Sequence, residues 1–551
     1  MKVLTIFLLL PCFSLAANIL VLENCASPSH HIWIKTLLTA LAERGHNVTS
    51  ITANSEQKSI PNLHFIHMEK VYDIIHEAYY ANYGETINFQ TEMNPFLQYY
   101  RYHGFCRNTL KGIVLSDGYK QLLTYPNDFK FDLIIYDYTI GPHLLGFVEK
   151  FGDPPLIGVS AFYSTSLTVP ITGAVLTPSF VPSGFVYAET STFVNRITNH
   201  LLVYLDYIVR EYFLAPEVNN SIRKDFPQGS DVRDIQKRTK LILLNKDPAV
   251  DVIETVMPNV ISVGGLQVQR TKSLPEDLQK IMDDAKNGVI LFSLGTNVPC
   301  AQLGDARLTE IIEAFKALPR YTFLWKCEAD TLPVAVPSNV VMRKFFPQSD
   351  VLNHPNIKLF ITHCGLMSVQ EAAWFGVPII GLPIFADQFL NIKVSVKAGV
   401  AEEGDLSKIK RHELKALIEQ IVTNPKYKEN AIVRSKIIRD QKETPLERAV
   451  WWTEFVLRHP NMTFMRSPSL DQNFVVRHSW DVLFFFFTTI FVIVLIGLKM
   501  TLYGTAEATF YIVFLRRNPS HFGTLRRMCL LQVIPSSQAS PRVREHYPSD
   551  G

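Results

Sequence analysis

Apolar and polar positions along this chain fall into two alternating patterns, and the alternation starts twice. Asn18-Ile-Leu-Val-Leu-Glu is a continuous apolar strand. After a polar loop, residues 32–44 place Ile34, Leu37, Leu38 and Leu41 at helical spacing, Gly45 closes the helix, and residues 48–52 resume as strand. A strand apolar on both faces, followed by a crossover helix, is the unit of a doubly wound parallel sheet. Phe131-Asp-Leu-Ile-Ile-Tyr-Asp and residues 156–159 add two inner strands. The Tyr-rich stretches 72–83 and 96–102 between them read as helices, whose rings serve the core or together line an apolar pocket.

From Lys240 the pattern begins afresh, with strands at 241–244, 289–294, 321–325, 340–342, 358–362 and 378–382 and a helical pattern at 308–318. Residues 216–240, with mixed charges and Pro-Gln-Gly-Ser, read as the linker, and helices after Ser407 close the second unit and return toward the first. The expected fold class is α/β: two Rossmann-like domains, 17–239 and 240–479, facing a cleft at the carboxyl ends of their strands.

Both ends carry addressing signals. Lys2, an apolar run over 3–10 and the small-x-small site Ser14-Leu15-Ala16 make residues 1–16 a secretory signal, so the mature chain starts at Ala17. Residues 482–498 hold 17 positions without a charge, flanked by Trp480 and Lys499, and at about 1.5 Å per residue they just reach across a bilayer core. Residues 480–499 are therefore expected to be one C-terminal transmembrane helix, with 510–515 too short for another. The basic stretch 500–551 becomes a cytoplasmic tail by the positive-inside bias, which gives type I topology and places the body in the lumen.

Composition narrows this further. Of 551 residues 47% are hydrophobic and 19% charged, which excludes disordered, collagen-like and disulfide-scaffold classes. The net charge is +3. Lys2 and the stretch 499–551, with seven Lys/Arg against three Asp/Glu, supply more than that excess, so the body is close to neutral and has no electrostatic footprint for nucleic acid. Of seven cysteines, Cys12 leaves with the signal and Cys529 sits in the tail. The other five include no C-x-x-C pair, which argues against a zinc site and leaves one isolated disulfide open. Sequons at Asn47, Asn219 and Asn461 are compatible with a lumenal body.

The densest chemistry lies in Phe360-Ile-Thr-His-Cys-Gly-Leu-Met-Ser-Val-Gln-Glu-Ala. A strand ends at Thr362, Gly365 lets backbone approach a ligand, and a helix is expected to start near Ser368, so free N–H groups point at the cleft, as suits a diphosphate. His363 adds a donor. Glu371 has a carboxylate able to accept from two vicinal ribose hydroxyls, but Ser368-x-x-Glu371 is equally a capping box. In Pro383-Ile-Phe-Ala-Asp-Gln, the side-chain oxygens of Asp387 and Gln388 could take sugar hydroxyls, or Asp387 could be an N-cap. No Asp-x-Asp pair occurs, which argues against a metal at the diphosphate.

The run His363-Cys-Gly-x-x-Ser-x-x-Glu, with Gly376-Val-Pro, Pro383-Ile-Phe-Ala-Asp-Gln and Asn391, resembles the signature of the UDP-glycosyltransferase family. Phe346-Pro-Gln-Ser-Asp-Val-Leu-Asn-His-Pro is similar to its Trp-x-Pro-Gln segment. Phe292-Ser-Leu-Gly-Thr, Asp440-Gln, and Pro445-Leu-Glu-Arg-Ala-Val-Trp-Trp-Thr-Glu-Phe-Val before the apolar span match the membrane-bound animal branch. The resemblance spans residues 18–499 and implies a GT-B fold. A UDP-sugar would sit in the C-terminal domain and a lipophilic hydroxyl-bearing acceptor in the N-terminal one, with no further cofactor. Ser293 and Thr296 match its phosphate-contacting loop, Phe345 its uracil-stacking aromatic and Gln348 its uracil-side glutamine. His363 matches its diphosphate ligand, Glu371 its ribose ligand, and Asp387 with Gln388 its sugar ligands.

The family also implies a histidine base after the first strand. His30 lies 16 before His46, which is the family's spacing, and Asp137 is the implied partner that orients a neutral His30 as it deprotonates the acceptor. Three positions depart from the pattern: Phe345 replaces Trp, Met367 replaces a small polar residue, and the dilysine retention tail is missing. Insect-like features favour UDP-glucose as donor, with detoxification in the endoplasmic reticulum membrane as the role. UDP-glucuronate or an inactive binding homologue are the alternatives, and a homo- or hetero-oligomer is compatible with the sequence.

Overall fold

The computed structural model describes residues 16–518 apart from 57, 84–94, 162–164, 185–189, 269–272 and 330. The expected signal, except Ala16, and the tail beyond residue 518 lie outside the described residues. The first sheet is β1 (Asn18–Leu22), β2 (Asn47–Thr52), β3 (Leu63–His67), β4 (Leu133–Asp137), β5 (Leu156–Ser160), β6 (Thr239–Leu244) and β7 (Val260–Ser262), all parallel, in the order 3-2-1-4-5-6-7. A second parallel sheet holds β8 (Val289–Ser293), β9 (Thr322–Lys326), β10 (Val340–Arg343), β11 (Ile357–Thr362), β12 (Ile379–Gly381) and β13 (Ala401–Glu403), in the order 10-9-8-11-12-13. The helices that matter below are α1 (Pro28–Glu43), α2 (Thr165–Thr172), α3 (Phe193–Val209), α4 (Asp305–Lys316), α5 (Leu366–Phe375), α6 (Gln388–Lys397), α7 (Pro425–Arg439), α8 (Pro445–Arg458) and α9 (Trp480–Arg517).

Strands β4, β5 and β8 are buried along their whole length, as a sheet covered on both faces requires. Side chains alternate between two cores. Ile19 and Val21 pack with Ile34, Leu37 and Leu38 of α1 on one face, and Leu20 and Leu22 enter a separate cluster with Tyr99, Leu110 and Phe147. In the second sheet Ile290 and Phe292 pack with Ile311 and Phe315 of α4, while Val289 and Leu291 face Val369 and Ala372 of α5.

Four sequence expectations are corrected. The break between 239 and 240 is not the boundary between sheets: Leu241 to Leu244 pair with Ile157 to Ser160, so β6 and β7 complete the first sheet and the crossing follows Ser262. An apolar run specifies an interior strand but not which sheet adopts it. The supposed linker is core, with Val218, Ile222, Val232 and Ile235 all buried in the first domain. The second domain does not run unbroken to residue 479, because Ala449, Val450 and Val456 of α8 pack under the first sheet. Its Glu454 takes Arg44 and His46, so the expected return of the late helices is present. The apolar helix does not stop at residue 499; it continues to Arg517, 38 residues in all, longer than a hydrocarbon core of about 30 Å needs.

The chain separates into a body up to Asp471 and a segment from Gln472 that contains α9. Within the body Cys300 and Cys327 form a disulfide, while Cys25, Cys106 and Cys364 are free and buried. Asn47 and Asn461 are exposed. Asn219 is buried and its side-chain oxygen accepts the Val232 N–H at 3.0 Å, so that sequon is taken up by the fold.

Candidate active site

Each sheet reverses its strand order beside its first strand, β1 against β4 and β8 against β11, where doubly wound sheets open a crevice at their carboxyl ends. Pairing of Thr362 with Ser293 sets the loop after β11 beside the loop after β8. His363 is held there between two glycines. A Cβ on Gly365 would stand 2.6 Å from its Nε2, and one on Gly295 would stand 2.5 Å from its Cε1. Gly295 also has φ +80°, so both its backbone and its missing side chain are required. Ser293 is buried and its hydroxyl accepts the Gly295 N–H at 3.3 Å, while Thr296 is exposed at the tip. Burial, then the neighbouring charge of Lys326, pushes His363 down to about 4, leaving a neutral ring with one donor and one acceptor nitrogen.

Lys326 was not singled out from sequence. Its ammonium donates to the Gly295 carbonyl at 2.6 Å and pairs with Glu328 at 2.9 Å, which puts a cation under the same loop. The signal that could have found it is a lysine at the carboxyl end of a strand adjoining β8. The Cys300–Cys327 disulfide then ties the far end of that loop to the end of β9.

Helix α5 starts at Leu366 with Gly365 as N-cap, two residues earlier than the sequence suggests, so Ser368 lies inside the first turn and the capping box does not form. Glu371 instead accepts from the Gln348 amide at 2.6 Å, and the same amide donates to Ser368 at 3.2 Å. Burial lifts Glu371 to about 7 against the opposing bonds from Gln348 and Ser349. Nearby Phe345 presents a ring that is 70% exposed, while Phe346 is buried.

Asp387 stands at the N-cap of α6 but does not cap it. Its carboxylate accepts from Asn391 at 2.7 Å and from the backbone N–H of Leu366, and burial lifts it to about 6. Gln388 corrects another expectation: its oxygen already receives the N–H groups of Ile384 at 2.8 Å and Phe385 at 3.1 Å, so its NH2 is the end left for a ligand. Cys364 and Ala386, at φ +65° and +55°, hold the two turns in a left-handed conformation that costs a non-glycine residue about 1–2 kcal/mol.

Across the cleft, His30 lies in the first turn of α1 and Asp137 is the last residue of β4, which pairs in register with β1 through Leu22 and Tyr136. The expected hydrogen bond between them is absent. Asp137 accepts from Cys25 N at 3.2 Å, Thr139 N at 3.0 Å and Thr139 Oγ1 at 2.6 Å, and His30 Nδ1 is buried with no partner. Backbone and hydroxyl donors on the adjoining loops thus occupy the carboxylate. Burial pushes His30 down to about 4 and lifts Asp137 to about 6.

His31 differs from its neighbour. Glu23 holds it at 2.7 Å and Glu56 at 2.9 Å, which draws its pKa upward against burial and makes it a structural clamp. The two halves touch where Asn297 donates to Ser27 at 3.2 Å. Met367, one of the departures from the family pattern, packs against the core beneath the first sheet, and its carbonyl accepts from Gln267 at 3.3 Å.

Among the described residues no three His, Cys, Asp or Glu side chains converge as a cation would require. The groups placed for an anion are the first-turn N–H groups of α5 that follow Leu366, together with His363 and Lys326.

Two Rossmann-like sheets whose carboxyl ends meet at one cleft define the GT-B class of glycosyltransferases. A solved structure of the glycosyltransferase of kitacinnamycin shares this fold at a TM-score of 0.50 and 16% identity, over 80% of this chain and 98% of that one. The chain belongs to the UDP-glucoronosyl and UDP-glucosyl transferase family, whose model matches residues 18–510. It is 34% identical to UDP-glucosyltransferase 2 of Dactylopius coccus, over 83% of this chain and 87% of the relative. To UDP-glucuronosyltransferase 2B15 of Rattus norvegicus it is 28% identical, over 86% and 91%. The enzyme is thus a UDP-glycosyltransferase that takes a UDP-sugar as donor.

Proposed function

We propose that the protein transfers glucose from UDP-glucose to a hydroxyl of a small lipophilic acceptor with inversion, giving a β-glycoside, in the detoxification or inactivation of such compounds. The observation that carries this is the neutral His30, its Nδ1 unpartnered, in the first turn of α1, next to the Ser27 that meets the donor-side loop through Asn297. His30 takes the acceptor's proton as its oxygen attacks the anomeric carbon. Asp137, one loop away, stabilises the imidazolium that results once acceptor binding reorganises its bonds to Cys25 and Thr139.

On the donor side, Phe345 and Gln348 receive the uracil, Glu371 the ribose hydroxyls, and Asp387 with the NH2 of Gln388 the hexose. The start of α5, His363, Ser293, Thr296 and Lys326 neutralise the departing diphosphate. No metal or further cofactor takes part. Glucose is preferred to glucuronate because the relative at 34% identity is a glucosyltransferase. The remaining features are a type I membrane protein of the endoplasmic reticulum with its body lumenal, anchored by α9.

Membranes carrying the full chain, given labelled UDP-glucose or UDP-glucuronate with a panel of phenols, test the proposal. Glucoside formation that His30→Ala abolishes is expected. Glucuronide as sole product overturns the donor, and full activity of His30→Ala overturns the base.

A further inference from the structure

The two oxygens of the buried Asp137 carboxylate are not equivalent. Oδ1 accepts from the Thr139 hydroxyl at 2.6 Å and from the Thr139 N–H at 3.0 Å, whereas Oδ2 accepts from the Cys25 N–H at 3.2 Å. A carboxylate offers about four lone-pair sites, two on each oxygen, so Oδ1 is filled and Oδ2 keeps one place. His30 Nδ1, buried and without a partner, is the group that needs such an acceptor.

Thr139 is itself held from three sides. Its hydroxyl has one proton, which goes to Asp137, so its 2.9 Å contact with the Ser160 hydroxyl is a bond that Ser160 donates. Ser160 is buried at the end of β5, and the pairing of Asp137 with Val159 sets it beside Thr139. The Tyr102 phenol, on the helix Pro95–Leu115, donates to the Thr139 carbonyl at 2.7 Å. Above the Tyr102 ring, at 4.9 Å, lies the guanidinium of Arg210, which Asp206 holds at 2.8 Å. N–H, hydroxyl and carbonyl of this one residue are therefore all bonded, and the carboxylate it carries is fixed in one orientation.

We propose that Thr139 is the positioning residue of the reaction: backed by Ser160, its hydroxyl turns Oδ2 of Asp137 toward His30 and keeps that carboxylate an anion. The groups that face Asp137 do not do this. Glu23, on the loop after β1, repels its charge, and Cys25, Tyr136, Tyr138 and His30 are kept neutral by burial, so none of them is a cation. Burial lifts Asp137 to about 6, and the bonds from Thr139 and Cys25 oppose it. The shortest of those bonds is the Thr139 hydroxyl. Without it the carboxyl would stay protonated to higher pH and could not stabilise the His30 imidazolium. This proposal rests on His30 as the base.

The test is the pH profile of kcat/KM, which reports the groups of the free enzyme, for the full chain in membranes. The probes are labelled UDP-glucose or UDP-glucuronate with 4-methylphenol, whose own ionisation near about pH 10 lies above the range used. Thr139→Val keeps the branched shape and removes the hydroxyl. Its acid limb is expected to move up by about one pH unit or more, so that kcat/KM falls about tenfold at the foot of the limb and returns to within about threefold of the parent near about pH 8.5. Thr139→Ser is expected to keep the parent profile, and Ser160→Ala to move the limb the same way by a smaller step. A limb of Thr139→Val that coincides with the parent's, a loss equal at every pH, or a Thr139→Ser limb moved as far as that of Thr139→Val overturns the proposal. Should Thr139→Val not fold, an unmoved limb in Ser160→Ala overturns it instead. Full activity of His30→Ala overturns the base and this role with it, whereas an unmoved limb beside an inactive His30→Ala overturns the role of Thr139 alone. No transfer by the parent from either nucleotide sugar overturns both.

Discussion

Gly365→Ala isolates the role of His363. Gly365 has φ −57° and ψ 141°, which alanine adopts freely, so the substitution adds no backbone strain. Loss of glycine at an N-cap costs up to about 1 kcal/mol, and reduced freedom of the unfolded chain offsets about 0.4–1 kcal/mol of that. The new Cβ, however, stands 2.6 Å from His363 Nε2. Ordinary contact begins near 3.4 Å, so the ring must retreat by roughly 0.8 Å, toward Gly295, which already lies against its other side. A displacement of about 1 Å in a positioning group costs up to roughly 100-fold in rate.

The expected outcome is a melting temperature within a few degrees of the parent, UDP affinity weakened about tenfold by calorimetry, and kcat/KM for the donor reduced 30- to 100-fold, on the order of 2–3 kcal/mol. Gly295→Ala should show the same kinetic loss with a further destabilisation of about 1–2 kcal/mol, because its φ of +80° does not suit alanine. Native UDP affinity in a folded Gly365→Ala protein would refute the placement of His363 on the diphosphate.

Glu371→Gln should raise stability and lower affinity together. A carboxyl held at about 7 by burial favours folding below its ordinary pKa and loses that contribution as pH rises through 7, so the variant should melt higher than the parent at pH 8 and not at pH 4.5, while UDP binds 10- to 100-fold more weakly. Equal melting shifts at both pH values would refute this. His31→Ala should lower stability by about 2–4 kcal/mol by leaving the buried Glu23 with only the Ser50 and Thr52 hydroxyls as donors, measured by denaturant unfolding, whereas His30→Ala should cost less, because the buried Nδ1 of His30 has no hydrogen bond to lose. Reducing Cys300–Cys327, which closes a loop of 27 residues, should cost about 3–4 kcal/mol and raise KM for the donor, since the loop that carries Gly295 and Thr296 is tied there; unchanged KM would show the loop holds itself.

Strand identity, helix spacing and the glycine-flanked turns were legible in the sequence, because an interior parallel strand, a crossover helix and a left-handed turn each impose a local pattern that one short segment displays alone. Ser368 and Glu371 were legible together because they lie on one motif, but the Gln348 amide that joins them comes from a separate segment and was not foreseen. Partnership between distant segments left no such trace. An apolar run at 241–244 fits either sheet equally well, and only pairing with β5 assigned it to the first. Ser368-x-x-Glu371 spells a capping box until the helix start is known, and that start moved two residues when Gly365 took the N-cap. Lys326 beside His363, Glu454 against Arg44 and His46, and Asp137 bonded to Thr139 rather than His30 are likewise contacts of tertiary origin. Local periodicity is set by backbone geometry within a few residues, whereas the choice of partner is set by which buried polar and apolar groups can be satisfied at once, and that competition is resolved only when the whole chain has packed.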